Sequence, residues 1–357
     1  MTQKKGGALA LIGTVTVAAL LSAPLLASDR EDPQQLAALT IGGVDALQLA
    51  EMRSAYSRPY DIPFPEENPF TEAKVELGKM LFFDPRLSGS NLISCASCHN
   101  PSFAWEDGQP TGAGQGMNRL GRHTPTVLNL AWSEVFFWDG RADTLEEQAL
   151  GPIQAGVEMA QPLDELIVEL EGIPGYREAF EAAFPGQGIT EEGIGMAIAT
   201  YERTIVSNKA PFDRWIEGDD SAISLSAQRG FVLYNTKARC SACHSGWNMT
   251  DDSFHDIGLP SDDIGREEVV GMPEFRHTFK TPGLRNIVQR APYMHDGSLS
   301  TLAEVVEHYD NGFIHRPTLS DDIKPLNLTR RERADLVAFM ETLTSQDDPV
   351  ELPLLPN

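Results

Sequence analysis

Positive charge is what this 357-residue sequence has least of: 28 Lys and Arg stand against 52 Asp and Glu, a formal net charge of −24. That balance excludes a nucleic-acid or anionic-membrane partner, because phosphate surfaces are held by Lys and Arg. An acidic surface would suit a basic partner, but the simpler reading is a soluble protein whose surface repels its neighbours. Long apolar runs are missing too, with one exception at the start. In "MTQKKGGALALIGTVTVAALLSAPLLASDRED", Lys4 and Lys5 precede an uncharged stretch from Gly6 to Ala27 that ends in small residues. This reads as a secretory signal, residues 1–27, cut after Ala27, with an uncleaved anchor as the alternative. The mature chain is therefore expected to be periplasmic and free of the membrane.

Cysteine is scarce as well. An exported chain with four cysteines ordinarily suggests two disulfides, but here all four fall in two identical patterns, "CASCH" (Cys95, Cys98, His99) and "CSACH" (Cys240, Cys243, His244). Cys-x-x-Cys-His is the attachment signature of a c-type haem: two thiols add across the vinyl groups and the adjacent histidine ligates iron. A zinc site or a redox dithiol would not need a histidine directly after each pair. Two covalently bound c-type haems are the expected cofactors.

Strand-like alternation is nearly absent, so the fold class is mostly α, as two c-type cytochrome domains with long haem-wrapping loops. Thr144–Glu147, Thr301–Glu304 and Thr329–Glu332 are Thr-x-x-Glu patterns that open helices. Further helices are predicted at Leu163–Glu171, Thr190–Ser207, Leu225–Asn235 and Arg331–Leu343. Leu302, Val305, Val306 and Tyr309 recur at helical spacing, which by itself makes Tyr309 a core residue. Long Gly- and Pro-containing loops are expected at Pro101–Pro125, Gly151–Pro162 and Thr250–Pro282, and loops of that length usually carry function. The chain divides into a leader (28–71) lying over the first domain, a first haem domain (72–212), a second (213–346) and an extended tail (347–357).

The run "RHTPTVLNLAWSEVFFWDGRADTLEEQALGPIQAGVEM", Arg122 to Met159, and the later "FKTPGLRNIVQRAPYMHDGSLSTLAEVVEHY", Phe279 to Tyr309, closely resemble the two domain signatures of the bacterial dihaem cytochrome c peroxidase family. The resemblance implies a first, peroxidatic haem with His99 as proximal ligand. It also implies a distal pair falling on Gln148 and Glu158. A carboxylate there can move a proton from one peroxide oxygen to the other, which heterolysis of HO–OH requires. It places a tryptophan between the haems at Trp138, able to relay electrons. A calcium ion between the domains is implied as well, held mainly by carbonyls and water, at positions matching His123, Arg290 and Pro292.

Two departures from the family pattern carry more information than the matches. Members that need prior reduction carry a distal histidine on the loop after the first motif. The gap-free count puts Gln115 there, so the first haem is expected to have no histidine gate. The second haem of ordinary members has a distal methionine fourteen residues beyond the histidine of "HDG"; from His295 that count lands on Tyr309. A tyrosine at this position resembles the MauG-like branch, and with it the dihaem enzymes of methanobactin systems. Tyr309 is thus implied as an axial ligand opposite His244. A phenolate favours ferric and higher states, whereas a thioether favours ferrous iron. Met294 and Met272 are the candidate ligands of the rival reading. The surface tryptophan through which MauG reaches its partner is replaced by Ala238, leaving Trp247 and Trp215 as substitutes.

The resemblance therefore implies an enzyme that uses hydrogen peroxide to oxidise an aromatic residue, tryptophan foremost, of an exported protein partner by long-range electron transfer. The alternative is a peroxidase fed by an electron-donor protein, and a third reading is a dihaem electron carrier without catalysis.

Overall fold

The computed structural model describes residues 40–357. The secretory signal and the start of the leader lie outside the described residues. Two helix pairs organise the fold, and each is set by a glycine at the crossing. Glu72–Phe83 packs on Glu191–Arg203 so closely that a Cβ on Gly78 would sit 1.9 Å from the Ala197 carbonyl oxygen. Leu225–Asn235 packs on Arg330–Glu341 in the same way, with Gly230 meeting the Asp335 carbonyl oxygen at 1.9 Å. Only glycine allows backbones to approach this far.

Around each pair lies its own hydrophobic core. The first gathers Leu77, Leu81, Phe82, Tyr176, Phe180, Ile194 and Ile198. The second gathers Phe212, Trp215, Phe231, Phe339 and Leu343. Leu49 and Tyr56 belong to the second core. This part of the leader therefore covers the second half and not the first, because Tyr56 wedges edge-on against Phe212 and Phe231. The later Asn68 does reach the first half, donating to Glu146 and to the Met196 carbonyl.

The helices follow their local signals. Leu163–Glu171 and Leu225–Asn235 run as expected, and Thr190, Thr301 and Thr329 accept the N3 amide at the start of their helices. Other boundaries differ: the helix expected to reach Ser207 ends at Arg203, and the one expected to reach Leu343 ends at Glu341. The helix Leu145–Gln154 runs on through Pro152, past the expected loop start at Gly151. The helix carrying Tyr309 ends at Glu307, and residues His308–Gly312 form a single π-helical turn. Such widened turns concentrate at functional sites because they re-aim side chains. Among the described residues, strand structure is confined to Phe254–His255 paired antiparallel with Phe279–Lys280.

The two halves also repeat one another in detail. Asn129 and Asn286 both adopt left-handed backbone, and each accepts a backbone N–H through its side chain, from Ser207 and Ser345. Phe137 and Met294 share a positive φ, as do Gly140 and Gly297, inside matching bridges Phe136–Ala142 and Tyr293–Leu299. The segment 124–150 is therefore one supersecondary unit used twice. In this register Trp138 and His295 are equivalent positions.

Candidate active site

His99 follows the single turn Cys95–Cys98, and its amide donates to the Cys95 carbonyl. Its Nδ1 faces the Trp105 carbonyl oxygen at 3.2 Å, and burial pushes its pKa down. The ring is thus neutral with the proton on Nδ1, leaving the Nε2 lone pair for a metal. His244 repeats the arrangement, with Nδ1 3.0 Å from the Met249 carbonyl and a pKa lowered by burial. A backbone carbonyl on the second ring nitrogen is the usual support of a ligating histidine. None of the four cysteines pairs with another, so every sulfur is available for attachment.

Each histidine lines a cavity. The first, about 750 Å³, is bounded by His99, Pro125, Phe136, Trp138, Gln148 and Arg290. The second, about 1510 Å³, is bounded by Cys240, Cys243, His244, Trp138, His295 and Tyr309. The Tyr309 hydroxyl makes no hydrogen bond among the described residues, and burial raises its pKa. Met294 lines this cavity too; Met272 does not and is half exposed. A neutral imidazole, two thiols and an apolar cavity in each half fit a c-type haem.

Gln148 lines the first cavity with a buried Oε1 that has no partner among the described residues, an orphaned acceptor where a ligand is expected. Glu158 does not line it; burial pushes the Cys98 thiol up, with Asp107 and then Glu158 adding to the shift, which puts Glu158 near that thiol. Burial raises the pKa of Glu158, against a smaller opposing pull from Arg141. Its carbonyl oxygen accepts the Gln115 amide at 2.7 Å, and a Cβ on Gly114 would stand 2.0 Å from the Val157 carbonyl oxygen. The loop that carries Gln115 is thereby pressed against the backbone of Glu158.

Trp138 is shared by both cavities. Its Nε1 donates to the His123 carbonyl at 2.9 Å, and its own carbonyl accepts the Lys280 amide at 2.7 Å. Its ring meets His295 edge to face, and His295 in turn stacks on Phe279 with centroids 3.6 Å apart. Sequence reading used His295 only as a counting mark and missed Phe279 and Glu106; the repeat would have singled out His295 as the partner position of Trp138. Trp247 is buried against Trp132 at 4.6 Å between centroids, with Arg58 over its face, while Trp215 lies in the second core under Arg53. Ala238 is buried.

The expected calcium positions meet a different arrangement. His123, Arg290 and Pro292 all line the second cavity, but the His123 and Arg290 side chains are both bonded to Glu106, and the His123 carbonyl is taken up by Trp138. The Arg290 and Pro292 carbonyls accept no hydrogen bond among the described residues, but two cationic side chains beside Glu106 oppose a divalent ion at this place.

Two histidine-lined cavities, each with its own Cys-x-x-Cys-His turn and one tryptophan in common, define a dihaem c-type cytochrome enzyme. The family description "Di-haem cytochrome c peroxidase" matches residues 72–221, and "Cytochrome c" matches residues 227–344. The methylamine utilization protein MauG of Methylorubrum extorquens is 50% identical over 316 residues, spanning 86% of this chain and 88% of that protein. The cytochrome c551 peroxidase of Pseudomonas aeruginosa is 36% identical, spanning 82% of this chain and 87% of its own. A crystal structure of a MauG-like protein associated with microbial copper homeostasis superposes with a TM-score of 0.74 at 31% identity, covering 82% of this chain and 95% of that one. The chain belongs to the dihaem cytochrome c peroxidase/MauG family. It is an oxidoreductase that acts on peroxide.

Proposed function

We propose that this protein is a periplasmic, MauG-like enzyme that draws two electrons from an aromatic residue, tryptophan foremost, of an exported protein partner. Peroxide takes up those two electrons and two protons and leaves as two waters. The haems, one in each of the domains 72–212 and 213–346, supply the irons that accept and store the oxidising equivalents. Cys95 and Cys98 hold the first haem and Cys240 and Cys243 the second, with His99, His244 and Tyr309 as iron ligands.

The chain's own groups do the rest. Gln148 orients peroxide through its unpartnered amide oxygen. Glu158, held in position by the Gln115 amide, takes the proton from one peroxide oxygen and returns it to the other. Trp138 connects the two sites electronically, a role supported by its place in the wall of both cavities. Calcium is left out of this reading because the cationic side chains of His123 and Arg290 occupy its expected place.

The single observation that carries the proposal is Tyr309, with a free hydroxyl in the wall of the His244 cavity. One equivalent of peroxide added to the fully ferric protein, without reductant, tests it. Prompt loss of both ferric EPR signals is expected. If nothing reacts until one haem is reduced, the peroxidase reading replaces this one. That second reading has an observation of its own, Met294 in the same cavity wall.

A further inference from the structure

Glu106 is 1% exposed, and both of its oxygens are occupied at the junction of the two halves. Oε2 stands 3.0 Å from His123 Nε2 and Oε1 stands 2.7 Å from Arg290 Nε. Arg290 also donates to the carbonyls of Gly283 and Arg285, so it is anchored in the second half. The other ring nitrogen of His123, Nδ1, is 2.7 Å from the Gln109 carbonyl oxygen. A carbonyl only accepts, and the guanidinium beside Glu106 keeps its carboxyl an acceptor. Both ring nitrogens of His123 therefore donate, and His123 is an imidazolium. One buried carboxylate thus holds two buried cations, one from each half of the protein.

The same histidine reaches the shared tryptophan through its backbone. The His123 amide donates to the His295 carbonyl at 2.7 Å, and its carbonyl accepts Trp138 Nε1. Arg290, Glu106, His123 and Trp138 form one continuous chain of hydrogen bonds across the junction, every member of which lines the second cavity.

We propose that the Glu106–His123–Arg290 clamp is a metal-free replacement for the calcium ion expected at this junction, and that it fixes the position of Trp138. His123 and Glu106 are positioning residues in this account: neither reaches a reacting atom. A divalent cation added beside them would sit next to two positive side chains that Glu106 already pairs, with Asp107 the further carboxylate acting on His123, and burial makes that added charge costly. The inference stands whether the electrons come from a partner tryptophan or from a donor protein, because it concerns how the halves are held together.

The holoprotein itself supplies the test. It is purified in calcium-containing buffer, desalted, and analysed for calcium before and after EGTA, with the EPR spectrum of both ferric haems recorded each time. Less than a tenth of an equivalent of calcium and unchanged spectra are expected. Close to one calcium per chain, or spectra that shift on chelation, overturns the metal-free clamp. His123→Phe then tests positioning in the same way. The EPR signals of the haems should shift and the melting temperature should fall by several degrees, with added calcium restoring neither. Spectra identical to the parent protein, or recovery with calcium, would refute the role given to His123. If His123→Phe does not accumulate, Glu106→Gln is read by the same two measurements.

Discussion

The indole of Trp138 and the imidazole of His295 lie edge to face, 6.4 Å between ring centroids and 69° between planes. Each directly precedes an Asp-Gly pair, and each occupies the same place in the repeated segment. The repeat therefore meets itself at the junction, with an aromatic residue from one half and a histidine from the other. The Trp138 indole N–H is bonded to the backbone of His123, whose amide is bonded to the backbone of His295, so the Trp138 ring is tied through His123 to the His295 main chain.

Trp138→Phe should separate the two haems. The ring remains apolar, but the hydrogen bond to His123 and the easily oxidised indole are lost. Peroxide should then consume the ferric EPR signal of the first haem while the signal of the second persists. Loss of both signals at the parent rate would remove Trp138 from the electron path.

Tyr309→Met should raise the reduction potential of the second haem, because a neutral thioether stabilises ferrous iron where a phenolate stabilises ferric. Spectroelectrochemical titration measures the shift directly. An unchanged potential would mean that Tyr309 does not ligate, and attention would pass to Met294 in the same wall.

Glu158→Gln should slow the reaction with peroxide by about 10²–10⁴-fold, the usual contribution of a positioned acid/base group. Burial raises the pKa of Glu158, and only its ionised form can accept a proton. The parent rate should therefore fall as pH drops through a midpoint above the ordinary glutamate range, and recover above it. Stopped-flow measurements across pH should find this inflection in the parent protein and not in the glutamine variant.

Gly78→Ala and Gly230→Ala test the two helix crossings. Alanine ordinarily favours a helix over glycine by about 1 kcal/mol. Here the added methyl would lie 1.9 Å from a carbonyl oxygen of the facing helix in each case. Overpacking of this kind costs about 1–3 kcal/mol, so both variants should be less stable than the parent. Denaturant midpoints decide the sign, and an increase for either would show that the helices separate at little cost.

Much of this protein is decided locally, and that part was readable. Cys95–His99 and Cys240–His244 announce their chemistry within five residues each. Thr190, Thr301 and Thr329 start helices because their hydroxyls reach an amide three positions on. A simple count from His295 picks out Tyr309, and the structure places that residue in the wall of the His244 cavity. The π-helical turn that carries it was not readable, because it begins at His308, after the apolar positions Leu302, Val305 and Val306 that set the helical spacing.

The junction belongs to tertiary structure alone. No periodicity links Glu106 to Arg290, or Tyr56 to Phe231, and no local rule places Trp138 in two cavity walls at once. Those contacts exist because two helix pairs, each closed at a glycine, present the same supersecondary unit to one another. A buried charge such as Glu106 must then find its partners across the interface, as leaving it unpaired in the interior would cost several kcal/mol. Short-range hydrogen bonding and covalent attachment chemistry are written in neighbouring residues. The wall that the two cavities share at Trp138 arises only when the halves pack.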